Sequence, residues 1–136
     1  MSATNLPVQP ATKEASEPAE ALRLLFEEEL PAVSIVEQAD VEARATSYEK
    51  WGGRGFESGP REAVQPLLLR YLKYLAADPL RKGFRYFEVK RDTVNGLPCV
   101  WLKAWFESFV TRIPIWRTAT GVVVPRTGDF PRLPRP

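Results

Sequence analysis

The apolar period of this chain changes once. Up to residue 78, apolar positions recur every three or four residues, the spacing of a helix face; from residue 84 they cluster or alternate, as in strands. Helical signals begin at Ser16-Glu17-Pro18, where Ser or Glu can cap and Pro18 suits a first turn because its missing N–H goes unused there. Leu22, Leu25 and Phe26 then share one face. Glu27-Glu28-Glu29 follows, and acidic side chains near a helix C-terminus oppose its dipole, so this helix is expected to end by Leu30 or to continue irregularly. After Pro31, Val33, Val36, Ala39 and Ala43 predict a second helix, with a short strand over Val33–Val36 as the other reading. Val64, Leu67, Leu68, Tyr71, Leu72 and Leu75 predict the strongest helix. It is closed by Asp78-Pro79, because a residue before proline avoids the helical region. Pro66 either kinks it or marks its first turn. Trp51 to Pro60, with glycine at 52, 53, 55 and 59, reads as a loop anchored by an aromatic ring near each end.

The second half predicts a sheet. Phe84 to Val94 is rich in aromatic and β-branched residues and runs into Asn95-Gly96, the strongest short hairpin signal, since a type I′ turn needs positive φ at both central residues. A two-residue turn closed by Val94 and Leu97 sets Lys90 opposite Trp101, Val89 opposite Leu102, Glu88 opposite Lys103, Phe87 opposite Ala104 and Tyr86 opposite Trp105. One face then carries Phe87, Val89, Val100, Leu102, Ala104 and Phe106, with Arg85 and Arg91 at its margins, and packs on the leucine-rich helix. The other carries Tyr86, Glu88, Lys90, Trp101, Lys103 and Trp105. A one-residue slip would exchange the two sets. A helix over Pro98 to Val110 competes with this hairpin, because Trp101, Leu102, Trp105, Phe106 and Phe109 also fit a helical stripe. Further strands are expected over Val110–Trp116 and Gly121–Pro125.

These elements predict a single α+β domain over residues 17–125: two or three helices from 17 to 78 packed on a small, mainly antiparallel sheet from 84 to 125. Residues 1–16 read as a flexible arm and residues 126–136 as a Pro/Arg-rich tail. Within that tail Pro131-Arg132-Leu133-Pro134 is a literal P-x-x-P, a pattern common by chance.

Charge adds a division that the net value of +2 conceals. Residues 1–50 hold four basic and ten acidic side chains, a net of −6; residues 51–136 hold fifteen basic and seven acidic, a net of +8. An acidic first third on a basic remainder points to a charged partner or to self-masking. The chain of 136 residues has no histidine and one cysteine, Cys99. Ser-His-Asp and Cys-His relays, histidine zinc sites and internal disulfides are therefore not available to it. The Gly52-Gly53-Arg54-Gly55 segment can offer N–H groups and a guanidinium to an anion, yet it lacks the lysine and hydroxyl residue of a nucleotide-binding loop. Glu57 and Glu62 form an ordinary carboxylate pair, and Cys99 reads as a small buried hydrophobe. No apolar run reaches the roughly 18 residues of a membrane span, and no secretory signal pattern is visible, so a cytoplasmic location is expected.

The expectation that follows is a non-enzymatic accessory protein without cofactor or metal. It binds a protein partner through Arg54, Tyr86, Lys90, Trp101, Lys103 and Trp105, with nucleic-acid binding by residues 51–136 as the alternative. Whether Trp101 and Trp105 lie on that surface or beneath another element stays open at this point.

Overall fold

The structure, a computed structural model, describes residues 12–45 and 55–126. In chain order the elements are β1 (Thr12–Ala15), α1 (Pro18–Arg23), a π-helical segment (Leu24–Glu29), a 3-10 turn (Leu30–Ala32), α2 (Gln38–Ala45), β2 (Phe56–Gly59), α3 (Arg61–Ala77), β3 (Phe84–Val94), β4 (Leu97–Phe106), β5 (Val110–Thr118) and β6 (Gly121–Pro125). The architecture is α+β, with packed helices on a six-stranded antiparallel sheet of order β1-β3-β4-β5-β6-β2.

The β3–β4 hairpin has the expected register, from Val94 opposite Leu97 to Tyr86 opposite Trp105. Asn95 and Gly96 have φ of 51° and 83°, the positive values that a type I′ turn needs. The competing helix over 98–110 does not form, because every residue from 97 to 106 is committed to β4. A bulge between Phe84 and Tyr86 leaves Arg85 as the extra residue.

The apolar face of the hairpin packs as expected. Phe87, Val89, Val100, Leu102, Ala104 and Phe106 join Leu22, Leu25, Phe26, Val64, Leu68, Tyr71 and Leu72 in one cluster beneath α1, the π segment and α3. The irregular continuation of the first helix has a consequence. A π turn rotates the following side chains relative to an α-helix. Here the Glu29 side chain is carried inward, 3% exposed, to meet Arg91 Nε at 2.9 Å and Lys13 Nζ at 3.4 Å. Lys13 also pairs with Glu28. These contacts tie β1, the first helix and β3 into one charged seam.

Four expectations need correction. Residues 12–15 are not part of a loose arm: they pair with Phe87–Lys90 as an edge strand, and Ala15 enters the core. The apolar run after Pro31 does not make one helix. Leu30–Ala32 is a 3-10 turn, Val33 is extended, 34–37 is irregular, and the helix begins only at Gln38. Arg117 explains this: its Nη1 donates to the carbonyls of Pro31 and Val33 at 3.2 and 3.1 Å, and its own carbonyl accepts from the Val36 N–H at 2.8 Å. Phe56–Gly59, expected as loop, is a strand paired with Val122–Pro125. Gly121 at the start of β6 permits this close pairing, since a Cβ there would lie 2.0 Å from the Gly59 oxygen. Finally, Arg126, the first residue after β6, is held against the start of β2 rather than opening a free tail. Its N–H donates to Gly55 O at 2.9 Å and its Nε to Glu57 at 2.7 Å. The expectations for residues 1–11 and 127–136 lie outside the described residues.

α3 runs from Pro60 as N-cap to Asp78 in the left-handed region, with Pro66 inside the helix rather than opening it. The Asp78 carboxylate accepts the backbone N–H groups of Lys82, Gly83 and Phe84 at 2.8, 2.9 and 3.1 Å. Those donors, Lys82 foremost and then Phe84, hold its carboxyl below the ordinary 3.8. The turn delivers the chain into β3.

Candidate partner-binding face

Among the described residues, the second face of the sheet is divided into a covered and an open half. The segment 33–37 leads to α2, and Val41 of α2 enters a second cluster with Val94, Leu97, Cys99, Trp101, Trp116 and Val123. Asn95 Nδ2 donates to Arg44 O at 2.7 Å, and Gln38 Nε2 donates to Ser58 Oγ at 3.2 Å, so α2 is tied to the hairpin turn and to β2. Trp101 lies within this cluster with 7% exposure, and the Arg112 guanidinium lies 4.8 Å from its ring centre. The question left open for Trp101 is answered here: helix α2, a tertiary neighbour invisible to local pattern, packs over it, so this member of the expected partner-binding set lies in a core cluster. Cys99 is fully buried in the same cluster, and its thiol is pushed up to about 12 by burial and secondarily by Asp92. It has none of the electropositive surroundings that make a thiolate.

The other half of this face is built in two rows. β-Strand pairing sets Tyr86, Trp105 and Val110 side by side across β3, β4 and β5. Tyr86 and Trp105 stack with centroids 6.4 Å apart and planes 24° from parallel. Two residues along the strands, the same pairing sets Glu14, Glu88, Lys103 and Arg112 in a second row across β1, β3, β4 and β5. Glu88 and Lys103 face one another as expected, but their charged ends go elsewhere. Trp105 Nε1 donates to Glu88 Oε1 at 2.6 Å, and Lys103 Nζ sits 5.9 Å from the Trp105 ring centre. The indole is thus oriented by its neighbours on both sides. Lys90 lies beyond, opposite Trp101.

A recess of about 410 Å³ adjoins the aromatic row, lined by Arg85, Tyr86, Trp105 and the β4–β5 turn with Phe109. Phe109 is 39% exposed and lies flat on Phe106, centroids 4.8 Å apart, with Lys82 Nζ 5.3 Å from its ring centre. A smaller recess of about 260 Å³ lies between Phe26, Ile35 and Gly121. Its two guanidiniums are engaged by the chain itself: Arg61 with Glu27 and over Phe26, Arg117 with the crossover carbonyls.

Of the sequence-predicted residues, Tyr86, Lys90, Lys103 and Trp105 share the open half-face, Trp101 lies beneath α2 beside it, and Arg54 lies outside the described residues. Val110, Arg112 and Glu14 were missed. Extending the hairpin register into β5 would have found the first two, since Trp105 opposes Val110 and Lys103 opposes Arg112. Glu14 had no such signal, because a four-residue polar strand carries no apolar pattern.

Among the described residues no cluster of three or more His, Cys, Asp or Glu side chains is placed to hold a metal ion, and no helix is long and apolar enough to cross a membrane. Fold and face define an α+β protein whose antiparallel sheet has helices on both sides and, among the described residues, one half-face not covered by another element. No family model, curated protein or solved structure matches the chain.

Proposed function

We propose that this chain is a non-enzymatic accessory protein that binds a protein partner through the open half-face of its sheet. The charged row supports this reading. Like charges directly opposite in a sheet are destabilising, and this row contains two such pairs, Glu14 with Glu88 and Lys103 with Arg112. On the helical side, Lys13, Arg23, Arg61 and Arg91 each pair with a glutamate. Among the described residues Lys103 and Arg112 have no carboxylate within ion-pair distance; each lies over a tryptophan instead. A row of two acids beside two bases, next to an apolar row, is complementary to a surface carrying both signs.

The same row weighs against nucleic acid. A polyanion would meet Lys103 and Arg112 favourably but would also meet Glu14 and Glu88, and the Tyr86 and Trp105 rings stack on each other, occupying one face of each ring that bases would otherwise use. The test compares the wild-type chain with Lys103→Glu/Arg112→Glu, both checked for an unchanged circular dichroism melt. A purified partner that binds the first and not the second is expected. Equal binding of both forms to that partner would refute the proposal. Binding to a single-stranded oligonucleotide that falls steeply with salt would replace it with the alternative.

A further inference from the structure

We infer that the partner segment recognised by this face is an extended peptide with an apolar anchor two residues from a carboxylate, the anchor seated at Tyr86–Trp105–Val110 and the carboxylate at the Lys103–Arg112 end of the charged row. The inference rests on the proposed partner-binding role and goes beyond it by specifying the ligand.

The spacing of the rows carries the argument. Trp105 and Lys103 are two residues apart on β4, as are Val110 and Arg112 on β5. The rise of a strand is about 3.3 Å per residue, so the rows lie about 7 Å apart, and side chains two apart share a face. An extended peptide running along β4 and β5 has the same period. Its side chains at i and i+2 therefore fall on the two rows in register, while the side chain at i+1 points away.

Each row supplies what its occupant needs. The aromatic row opens into the 410 Å³ recess bounded by Arg85 and Phe109, which gives a bulky apolar side chain depth as well as a flat platform. Trp105 is held in place by the Glu88 acceptor, so the platform is pre-formed and little ordering is required on binding. In the charged row Lys103 and Arg112 are direct cross-strand neighbours whose charged ends lie over Trp105 and Trp101; among the described residues neither has a carboxylate partner, and a peptide carboxylate above the row supplies one.

The experiment uses three fluorescein-labelled nonapeptides in a Gly/Ser/Ala background, each with one Leu and one Glu. The Glu stands one, two or four residues after the Leu. Binding to the full chain is followed by fluorescence anisotropy, and the Trp105 indole resonance by NMR. The two-residue peptide is expected to bind about tenfold tighter than the one-residue peptide, to weaken about tenfold in Lys103→Glu, to weaken again with added salt, and to shift the Trp105 indole signal. Lys103→Gln, which keeps the stem over the Trp105 ring, is expected to give a smaller loss and guards against a folding effect. Equal affinity of all three peptides, tightest binding by the four-residue peptide, or indifference to both Lys103 variants overturns the inference. The partner-binding reading is scored separately with the purified partner. If that partner discriminates between wild type and Lys103→Glu/Arg112→Glu while the peptides do not, the reading stands and the peptide chemistry falls.

Discussion

The division of the second sheet face is tested by truncating its two tryptophans separately. Trp101 and Trp105 lie four residues apart on one strand and on one face, so local sequence treats them alike. Tertiary structure does not. Trp101 is 7% exposed and packs with Val41, Cys99 and Trp116; Trp105 is partly buried, stacked on Tyr86 and bonded to Glu88. Truncating a buried tryptophan to alanine costs about 3–5 kcal/mol through lost transfer energy and the cavity left behind. Trp101→Ala also removes the ring beneath Arg112, which places it toward the upper part of that range. Trp105→Ala loses part of one ring's burial, one stack and one hydrogen bond to a half-exposed carboxylate, together about 2–3 kcal/mol. Against a total stability of roughly 5–15 kcal/mol, the first is close to unfolding and the second is tolerated. Urea unfolding followed by circular dichroism measures both, with the m-value checking that the unfolded reference is unchanged. The reasoning fails if Trp101→Ala lies within about 1 kcal/mol of wild type, or if Trp105→Ala proves the more damaging.

Three further outcomes follow from other parts of the fold. Gly121→Ala is expected to destabilise by about 2–3 kcal/mol, because its Cβ would overlap the Gly59 backbone and force β2 from β6; a melt unchanged from wild type would count against that contact. Cys99 is expected to resist a thiol reagent at pH 8 in the folded protein and to react at once in denaturant. Because the folded thiol keeps its proton up to about 12 while the unfolded one ionises from about pH 9, stability is also expected to fall as pH rises above that lower value. Asp78 works with the opposite sign. Its folded carboxyl is held below 3.8, so its contribution is present above that pH and is lost as pH falls through the folded value. Asp78→Asn should lower the melting temperature at pH 7 and flatten its decline toward pH 3, as read by circular dichroism melts across that range.

Much of the sheet was legible because its information is local. Asn95-Gly96 dictates a turn of a particular hand, the turn dictates the pairing, and the pairing sorts Phe87, Val89 and Leu102 from Tyr86, Glu88 and Lys103 without reference to anything distant. The leucine-rich helix was legible for the same reason, its apolar stripe lying within a single stretch of chain. The edge strands were not. Thr12–Ala15 and Phe56–Gly59 are short, polar or glycine-containing, and become strands only because β3 and β6 present unpaired backbone to them. The segment after Pro31 shows the same override: Arg117, more than eighty residues away, claims the Pro31 and Val33 carbonyls, and the chain stays non-helical through residue 37.

For the candidate site, sequence alone determined which side chains share the β3–β4 face and that the chain has no histidine with which to build a common relay. It also determined the split into an acidic first third and a basic remainder. Tertiary structure decided what that split does: Glu28 and Glu29 of the acidic part reach Lys13, Arg23 and Arg91, while Glu14 is laid beside Glu88 in the same row as Lys103 and Arg112. It also decided that α2 covers Trp101 and leaves Trp105 at the open half-face. The physical reason is that alternation assigns a residue to a face, whereas burial depends on which distant element packs against that face.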